Sequence, residues 1–519
     1  MIPMLVNSRL SPIYRRFQQS AERNPDKLAL VVGESRQTYR ELLKEVDALA
    51  DGLANAGLRS GEHIGVLLPN CAEFVLLLLA GARLGAVIVP QSLGLSPEAL
   101  ANTFRTAAIR HLVAWAGAAD NLDPQLLAAK GILLSVGGAV EGWLGLAEIL
   151  ASGRTNPHSP PLLGEDRPYL LVLTSGATGD PKPIVLSQHT KCLRAEAAAG
   201  LYGVKADDVI MAATPLYHSL AQRLALMSLI SGGTSVVMAH FSPAAWIENV
   251  SRYQVSFSIA VSSQLKQILN HLVSTGESLP SLRCLVSSSA VLDDETKRYL
   301  LARLQCEFHE CYGASEIAIA TNLTPTAARR KLGSVGTAVP GTEVMILGDD
   351  GKQAPTGTAG EILCRTPMLY SGYYGQAETT TAANWGDFFR TGDLGTMDDE
   401  GFLYFRGRIK DIIITGGVNV YPKDIEDVIA SHPEVRECAA IPLLDDDMGE
   451  VAGVVIAFND PENPPSLRDI QRLCMQRLGD FQQPRRFFVV ADLPKNGMGK
   501  VDKPTLRQTY CRPMTPGQA

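Results

Sequence analysis

Tyr169-Leu-Leu-Val-Leu-Thr174-Ser175-Gly176-Ala177-Thr178-Gly179-Asp180-Pro181-Lys182 is the stretch from which the architecture is read. Its first half is an apolar, β-prone run that predicts a strand. Its second half crowds glycine, hydroxyls and one lysine into a loop. Glycines let backbone N–H groups turn towards an anion, hydroxyls donate further hydrogen bonds, and an ammonium supplies charge. Such a loop can wrap phosphates, although the same residues also make an ordinary turn. The GxxxxGK[ST] spacing of a Walker A loop is absent.

Outward from this strand, short β-branched runs alternate with longer helix-like segments between residues 60 and 290. The runs are His63 to Leu68, Ala86 to Val89, Val209 to Ala212, Ser235 to Met238 and Ser256 to Val261. That rhythm predicts parallel α/β layers. A Pro-rich patch, Asn156 to Pro161, reads as the link between two such lobes. From Pro340 to Arg406 the pattern changes to short strands broken by DDG, PTG and DEG turns, predicting a small antiparallel, barrel-like unit. Beyond Arg408 a separate α+β domain is expected, with helices near Asp424 to Ser431 and Ser466 to Leu478 and strands near Cys438 to Pro442 and Val451 to Phe458. The expectation is an α/β protein with a large domain over residues 1–409 and a smaller one over 410–519.

Composition narrows the function. At 519 residues, 46% hydrophobic and 19% charged, the chain can bury large cores and does not read as disordered. A net charge of −7 without a basic block gives little support for nucleic-acid binding. Nine scattered cysteines lack zinc or redox CxxC spacing and read as buried thiols in a reducing compartment. The first residues, MIPMLVNSRLSPIYRR, lack the apolar centre of a secretory signal, so a cytoplasmic location is expected. The apolar stretch Phe74 to Val89 is divided by Arg83 and Gly85 and falls short of the roughly twenty residues of a membrane span, so a buried helix followed by a strand is expected.

Further segments carry chemistry. Tyr312-Gly313-Ala-Ser315-Glu316 sets a ring, a hydroxyl and a carboxylate in one short loop. A single carboxylate suits Mg²⁺ when ATP supplies the remaining oxygens, and a surface glutamate after a turn is the alternative. In Arg390-Thr-Gly-Asp393, the aspartate offers two oxygens to vicinal hydroxyls, although an Asp ending a turn is the commoner role. Gly401 to Asp411 (GFLYFRGRIKD), Gly416-Gly417-Val-Asn-Val-Tyr-Pro422 and Leu493 to Lys503 (LPKNGMGKVDK) follow in that order.

Together and in this order, these segments closely resemble the signatures of the adenylate-forming superfamily, which includes acyl-CoA synthetases, adenylation domains of peptide synthetases and firefly luciferase. The resemblance runs from Thr38 to Lys503. It implies that Thr174, Ser175, Gly176, Thr178, Gly179 and Lys182 hold the β- and γ-phosphates of ATP. Tyr312 would stack on adenine, Gly313 is placed at the nucleotide, Ser315 would support the α-phosphate, and Glu316 would bind Mg²⁺. Ser289 and Glu310 are also placed at the nucleotide, and Asp393 and Arg408 at the ribose. Lys410 matches the hinge about which the small domain turns between half-reactions, and Lys500 matches the lysine that bridges carboxylate and α-phosphate. There are departures: Ala177 replaces a hydroxyl, Pro183 a glycine, and Ser287 to Ala290 a glycine-rich turn. The hydroxyl lost at 177 is worth about 0.5–1.5 kcal/mol of ATP binding.

Gly417 matches a position in thiol-using members where a side chain would obstruct pantetheine, which favours CoA as acceptor. A carrier-protein phosphopantetheine arm, presented in trans, is the alternative. Pro215-Leu-Tyr-His218-Ser-Leu-Ala-Gln-Arg223 contains no acidic residue for a substrate ammonium, and His218 is typical of acyl and aryl acid ligases, with a catalytic role implied. A fatty, aryl or dicarboxylic acid is therefore expected. Arg223 is either a structural arginine or the partner of a second carboxylate. A non-catalytic adenylate-binding module is disfavoured by the presence of both Glu316 and Lys500, and nothing in the sequence calls for luciferase-like oxygen chemistry.

Overall fold

The apolar run that ends in Thr174 is the next-to-last strand of a seven-stranded sheet in the computed structural model, which describes residues 11–119, 122, 131–161, 163–164, 166–175, 181–290, 292–462, 464–495 and 500–511. The chain forms two compact units, one of residues 1–343 and 364–389, the other of residues 344–363 and 390–519.

In the first unit, the seven-stranded sheet runs in the order Leu144–Gly145, Leu133–Val136, His111–Trp115, His63–Leu67, Val87–Pro90, Pro168–Ser175, Pro181–Ser187. Its neighbours are parallel except for the last pair, an antiparallel hairpin that pairs Thr174 with Lys182. The central strands read as continuous apolar runs because helices cover both faces. One such helix, Ala72–Leu84, is buried nearly all round and ends on Gly85 in the left-handed conformation, φ 71°. This is the buried helix and following strand expected of that apolar stretch, and no helix among the described residues is long and apolar enough to cross a membrane.

The second sheet of this unit has nine strands, with Cys284–Ser288 between Phe257–Val261 and Glu307–Tyr312. Strands Leu28–Val32 and Ser35–Thr38 belong to it, so the chain starts in this sheet, leaves to build the seven-stranded one, and returns. The Pro-rich patch therefore does not link two lobes. The strands before it, Leu133–Val136 and Leu144–Gly145, and after it, Pro168–Ser175, lie in the same sheet. The crossing comes later, through the helix Gln188–Leu201, because strand Pro168–Ser175 finds its parallel partner in Val87–Pro90, far back in the chain. Local composition cannot report such a pairing.

In the second unit, strands within 344–347, 360–363, 390–397 and 403–408 share one sheet, antiparallel where 390–397 meets 403–408, and a separate sheet is built on the long hairpin Val435–Asp445 and Gly449–Phe458. Successive side chains of that hairpin point to opposite faces. Ala440, Val454 and Ile456 pack with Ile425, Ile429 and Ile470 of two helices, while Ile441, Val455 and Ala457 pack with Leu493 and Leu506.

Packing in the first unit depends on two glycines. A Cβ at Gly52 would lie 2.0 Å from the carbonyl oxygen of Ile149, and one at Gly153 would lie 1.9 Å from that of Ala48. Helices Tyr39–Asn55 and Leu146–Thr155 thus touch backbone to backbone. Gly153→Ala must part them, and we expect a loss of about 3 kcal/mol, the upper end of ordinary overpacking. Gly200→Ala, a helical position with nothing within 4 Å of the added carbon, serves as the control and is expected to be neutral or stabilising in thermal unfolding.

Candidate active site

The site residues of the first unit are organised by strand Glu307–Tyr312 and the turn that follows it. Gly313 is required there: a Cβ would lie 1.7 Å from the carbonyl oxygen of Ala318. The turn closes through Ala318 N to Ala314 O at 2.9 Å and Ala320 N to Tyr312 O at 2.8 Å, leaving Tyr312 buried and Ser315 and Glu316 half-buried. Ala318 is left-handed at φ 61°, which an alanine tolerates only under tertiary restraint.

Buried Arg194, from the helix Gln188–Leu201, supplies that restraint. Its Nη1 donates to Ser315 O at 2.8 Å, Nη2 to Glu316 O at 2.6 Å and Nε to Met368 O at 2.9 Å. Tyr370 N donates to Glu316 O as well, at 2.7 Å. Burial and the nearby Arg223 charge push the Arg194 guanidinium down to about 9, with the Glu316 carboxylate opposing. The main chain of Glu316 is pinned while its side chain is left to do chemistry.

The carboxylate is joined to Lys182 by one residue. Tyr373 Oη donates to Glu316 Oε1 at 3.0 Å, and Lys182 Nζ stands 5.3 Å from the Tyr373 ring centroid, within cation–π range. Tyr373 is held by main-chain pairing with strand Pro181–Ser187: Val185 N donates to Gly372 O at 3.0 Å and Tyr374 N to Pro183 O at 2.9 Å. Pro183 uses its carbonyl here, so the lack of an N–H costs this contact nothing. Burial and the Glu316 charge raise the Tyr373 phenol, keeping it a neutral donor. Thr174 and Ser175 end the other strand of the hairpin, whereas Gly176, Ala177, Thr178 and Gly179 lie outside the described residues.

Other expected residues are placed differently. Glu310 is on the same strand as Tyr312, but its Oε2 forms a 2.7 Å ion pair with fully buried Lys297 and its Oε1 accepts from Leu292 N at 3.0 Å. Its side chain is committed to the core, and burial raises its carboxyl although Lys297 opposes. Ser289 follows strand Cys284–Ser288 in the left-handed conformation, φ 75°, the backbone that a glycine-rich turn would supply without strain. His218 precedes the helix Ser219–Ser231 and stacks on Tyr217 with ring centroids 4.2 Å apart.

The second unit carries a separate cluster. Asp393 and Arg408 are cross-strand partners, with Arg408 Nε 3.4 Å from Asp393 Oδ1, and Asp393 is buried. Glu361 holds the preceding turn, accepting from Arg390 at 2.6 Å and from Gly392 N at 3.2 Å. Lys500 lies in the field of this pair. Burial and the Arg408 charge lower its ammonium to about 8, with Asp393 opposing. Lys410 sits in the short turn Ile409–Asp411, where its carbonyl accepts from Arg507 at 3.1 Å while Arg507 also pairs with Asp411 at 2.9 Å. Gly416 and Gly417 have φ 55° and 83° and join the paired residues Thr415 and Val418, a two-residue hairpin turn that itself asks for glycine.

The structure thus brings Lys182 and Glu316 together in one unit, and Asp393, Arg408 and Lys500 in the other. Tyr373 and Arg194 were missed in the sequence. Tyr373 is one of two adjacent tyrosines in a loop. Arg194 shares a helix face with Ala195 and Ala198, and only the burial of that face marks it.

Comparison with known proteins agrees with the geometry. The family model described as AMP-binding enzyme matches residues 17–374, and that of the AMP-binding enzyme C-terminal domain matches residues 424–500. An indoleacetate–CoA ligase of Aromatoleum aromaticum is 29% identical over 94% of this chain and 96% of its own length. A long-chain-fatty-acid–CoA ligase of Mycobacterium tuberculosis is 30% identical over 92% and 93%. Among solved structures, o-succinylbenzoate CoA synthetase from Bacillus subtilis, in complex with its acyl-adenylate intermediate, superposes with a TM-score of 0.84 at 25% identity, covering 95% of this chain and 97% of that one.

The left-handed Ser289 yields a measurable expectation. Ser289→Gly relieves a conformation that costs a non-glycine residue about 1–2 kcal/mol, so the variant should unfold at a higher temperature. An unchanged or lower midpoint would remove strain as the description of this turn.

Proposed function

The chain belongs to the AMP-binding enzyme family and is an AMP-forming acyl-CoA synthetase; on that premise we propose how its own residues divide the work. The acid's carboxylate attacks the α-phosphorus of ATP, forming acyl-AMP and expelling pyrophosphate. The CoA thiolate then attacks the acyl carbon and releases AMP.

In the first step like charges must meet, so positioning and electrostatic stabilisation carry the rate. The loop Thr174 to Lys182 grips the β- and γ-phosphates, with Lys182 as its charge. Tyr312 and the main chain at Glu310 and Gly313 border adenine, Ser315 meets the α-phosphate, and His218 lines the path of the acid. Glu316 fits Mg²⁺: it is a hard carboxylate held by Tyr373 beside the lysine that meets the phosphates. The metal, when bound, neutralises charge on the phosphate oxygens. Asp393 accepts from the ribose hydroxyls and Arg408 flanks it.

The observation that carries this reading is the shared electrostatic environment of Lys500, Asp393 and Arg408, since it sets the expected adenylation lysine beside the expected ribose residues. We assign residues 1–409 to binding of acid and ATP and residues 410–519 to a domain that turns about Lys410, bringing Lys500 to the first step and the Gly417 turn to the thiol. A carrier-borne phosphopantetheine presents the same thiol, and assays with CoA and with holo-carrier separate the acceptors. We place the reaction in the cytoplasm, in keeping with nine cysteines none of which forms a disulfide.

Lys500→Ala tests the assignment. A lysine about 4 Å from a phosphate oxygen gains roughly 4 kcal/mol at an effective dielectric near 20, so adenylate formation should fall by about 10²–10³. Thioester formation from supplied acyl-AMP should persist; equal losses in both half-reactions would refute the role. The pH dependence follows from the lowered ammonium. Lys500 acts as a cation, and raising the pH through about 8 removes its proton, so kcat/KM for pyrophosphate release should fall above that pH. Lys500→Arg should abolish this alkaline limb, and a limb that survives the substitution would assign it to another group.

A further inference from the structure

Two cations on packed helices of the first unit are buried without a counterion among the described residues. Lys191 lies in the helix Gln188–Leu201 and Arg223 in Ser219–Ser231, and the residues are 3% and 9% exposed. Neither Lys191 Nζ nor Arg223 Nε has a hydrogen-bond partner among the described residues. A third cation, Arg194, lies one turn along from Lys191 and is committed to the carbonyls of Ser315, Glu316 and Met368.

The charged and titratable groups around them do not balance the charge. On its own helix Lys191 has Arg194 and Cys192, and from the neighbouring helix it has Arg223. The field of Arg223 reaches Tyr202 and Cys311. The Glu316 carboxylate acts on Arg194 and is hydrogen-bonded to Tyr373. Burial and the two guanidinium charges push the Lys191 ammonium well below its usual range.

An uncompensated buried cation destabilises a fold, and an apolar residue of the same volume would be the stabler choice. Its presence makes sense when the counterion arrives with a ligand. The position is suited to this: Cys311, within the field of Arg223, immediately precedes Tyr312, and Arg194, which lies in the field of Arg223 and acts on Lys191, holds the turn that presents Glu316.

We propose that the acid this enzyme activates carries a second anionic group, a carboxylate or sulfonate remote from the reacting carboxylate, and that Lys191 and Arg223 receive it. The substrate class is then a dicarboxylic or sulfocarboxylic acid, and the proposal rests on the synthetase reading above. Docking of the anion gives Lys191 its counterion and favours its charged form.

The test uses the full chain with acids matched in length that end in methyl, carboxylate or sulfonate: hexanoate, adipate and 5-sulfopentanoate, with an arylacetate series alongside. Pyrophosphate release and CoA thioester formation are measured. A charge-assisted contact predicts a 10- to 100-fold preference in kcat/KM for an anionic terminus. Lys191→Met and Arg223→Met should each erase that preference while leaving turnover of the methyl-ended acid. The two anionic arms identify the terminal group. Equal or better use of the methyl-ended acids by the unaltered enzyme overturns the proposal.

Lys191→Met should also keep or raise the unfolding temperature; a lower one with unchanged acid preference would make Lys191 a structural residue and overturn its role. Calorimetric titration of adipate reads the subsite without turnover. Binding that Lys191→Met abolishes supports the proposal, and binding that survives the substitution, or none, overturns it. Failure of every acid to yield acyl-AMP, with adipate binding intact, would instead count against the synthetase reading.

Discussion

A turn that only glycine can start, held from behind by one buried arginine, is the constraint on which the first unit's chemistry rests. Gly313 lets the chain fold back against the carbonyl of Ala318, and Arg194 takes the carbonyls of Ser315 and Glu316. With the main chain held in this way, the Glu316 side chain reaches Tyr373, whose ring stands beside Lys182. A phenol with its ring beside the ammonium and its hydroxyl on the carboxylate holds the two charges near each other without a direct ion pair. In the proposed division of roles, such a pair is free to share a polyphosphate.

The second unit solves a related problem with fewer contacts. Glu361 braces the turn before Asp393, and the antiparallel register sets Arg408 opposite that aspartate. Lys500, from the end of the chain, lies in their combined field, where burial and Arg408 outweigh Asp393. A lysine already lowered towards neutrality is poised to gain from any anion that arrives. Lys191 and Arg223 follow the same logic in the first unit, where charge stored without a partner favours a ligand that supplies one.

Much of this was legible in the chain. The strand entering a loop of glycines and hydroxyls, the alternation of β-branched and helical segments, and the ordered motifs through Lys500 pointed to an α/β adenylating enzyme, because each signal is local and chemically specific. The crossing between the two sheets was not legible. The Pro-rich patch looks like a boundary, yet the strand after it pairs with Val87–Pro90. The side chain of Glu310 looks like a ligand beside Tyr312, yet it is paired with Lys297 on a helix whose packing no local pattern reports. Gly417, read as clearance for a thiol, also answers to a hairpin turn.

The amino-acid sequence by itself determined which groups are present and in what order: the glycine- and hydroxyl-rich segment before Lys182, the Glu316 turn, the Asp393 turn and Lys500, since these depend on residue type and short spacing. Only the tertiary structure decided which of them meet, and through what. Tyr373 joins Lys182 to Glu316 because the segment carrying it pairs with a strand nearly two hundred positions earlier, and Arg194 and Lys191 are buried because two helices close over them. Burial and long-range pairing are properties of the packed chain, and they determine whether a cation is a solvated surface group or a charge awaiting its counterion.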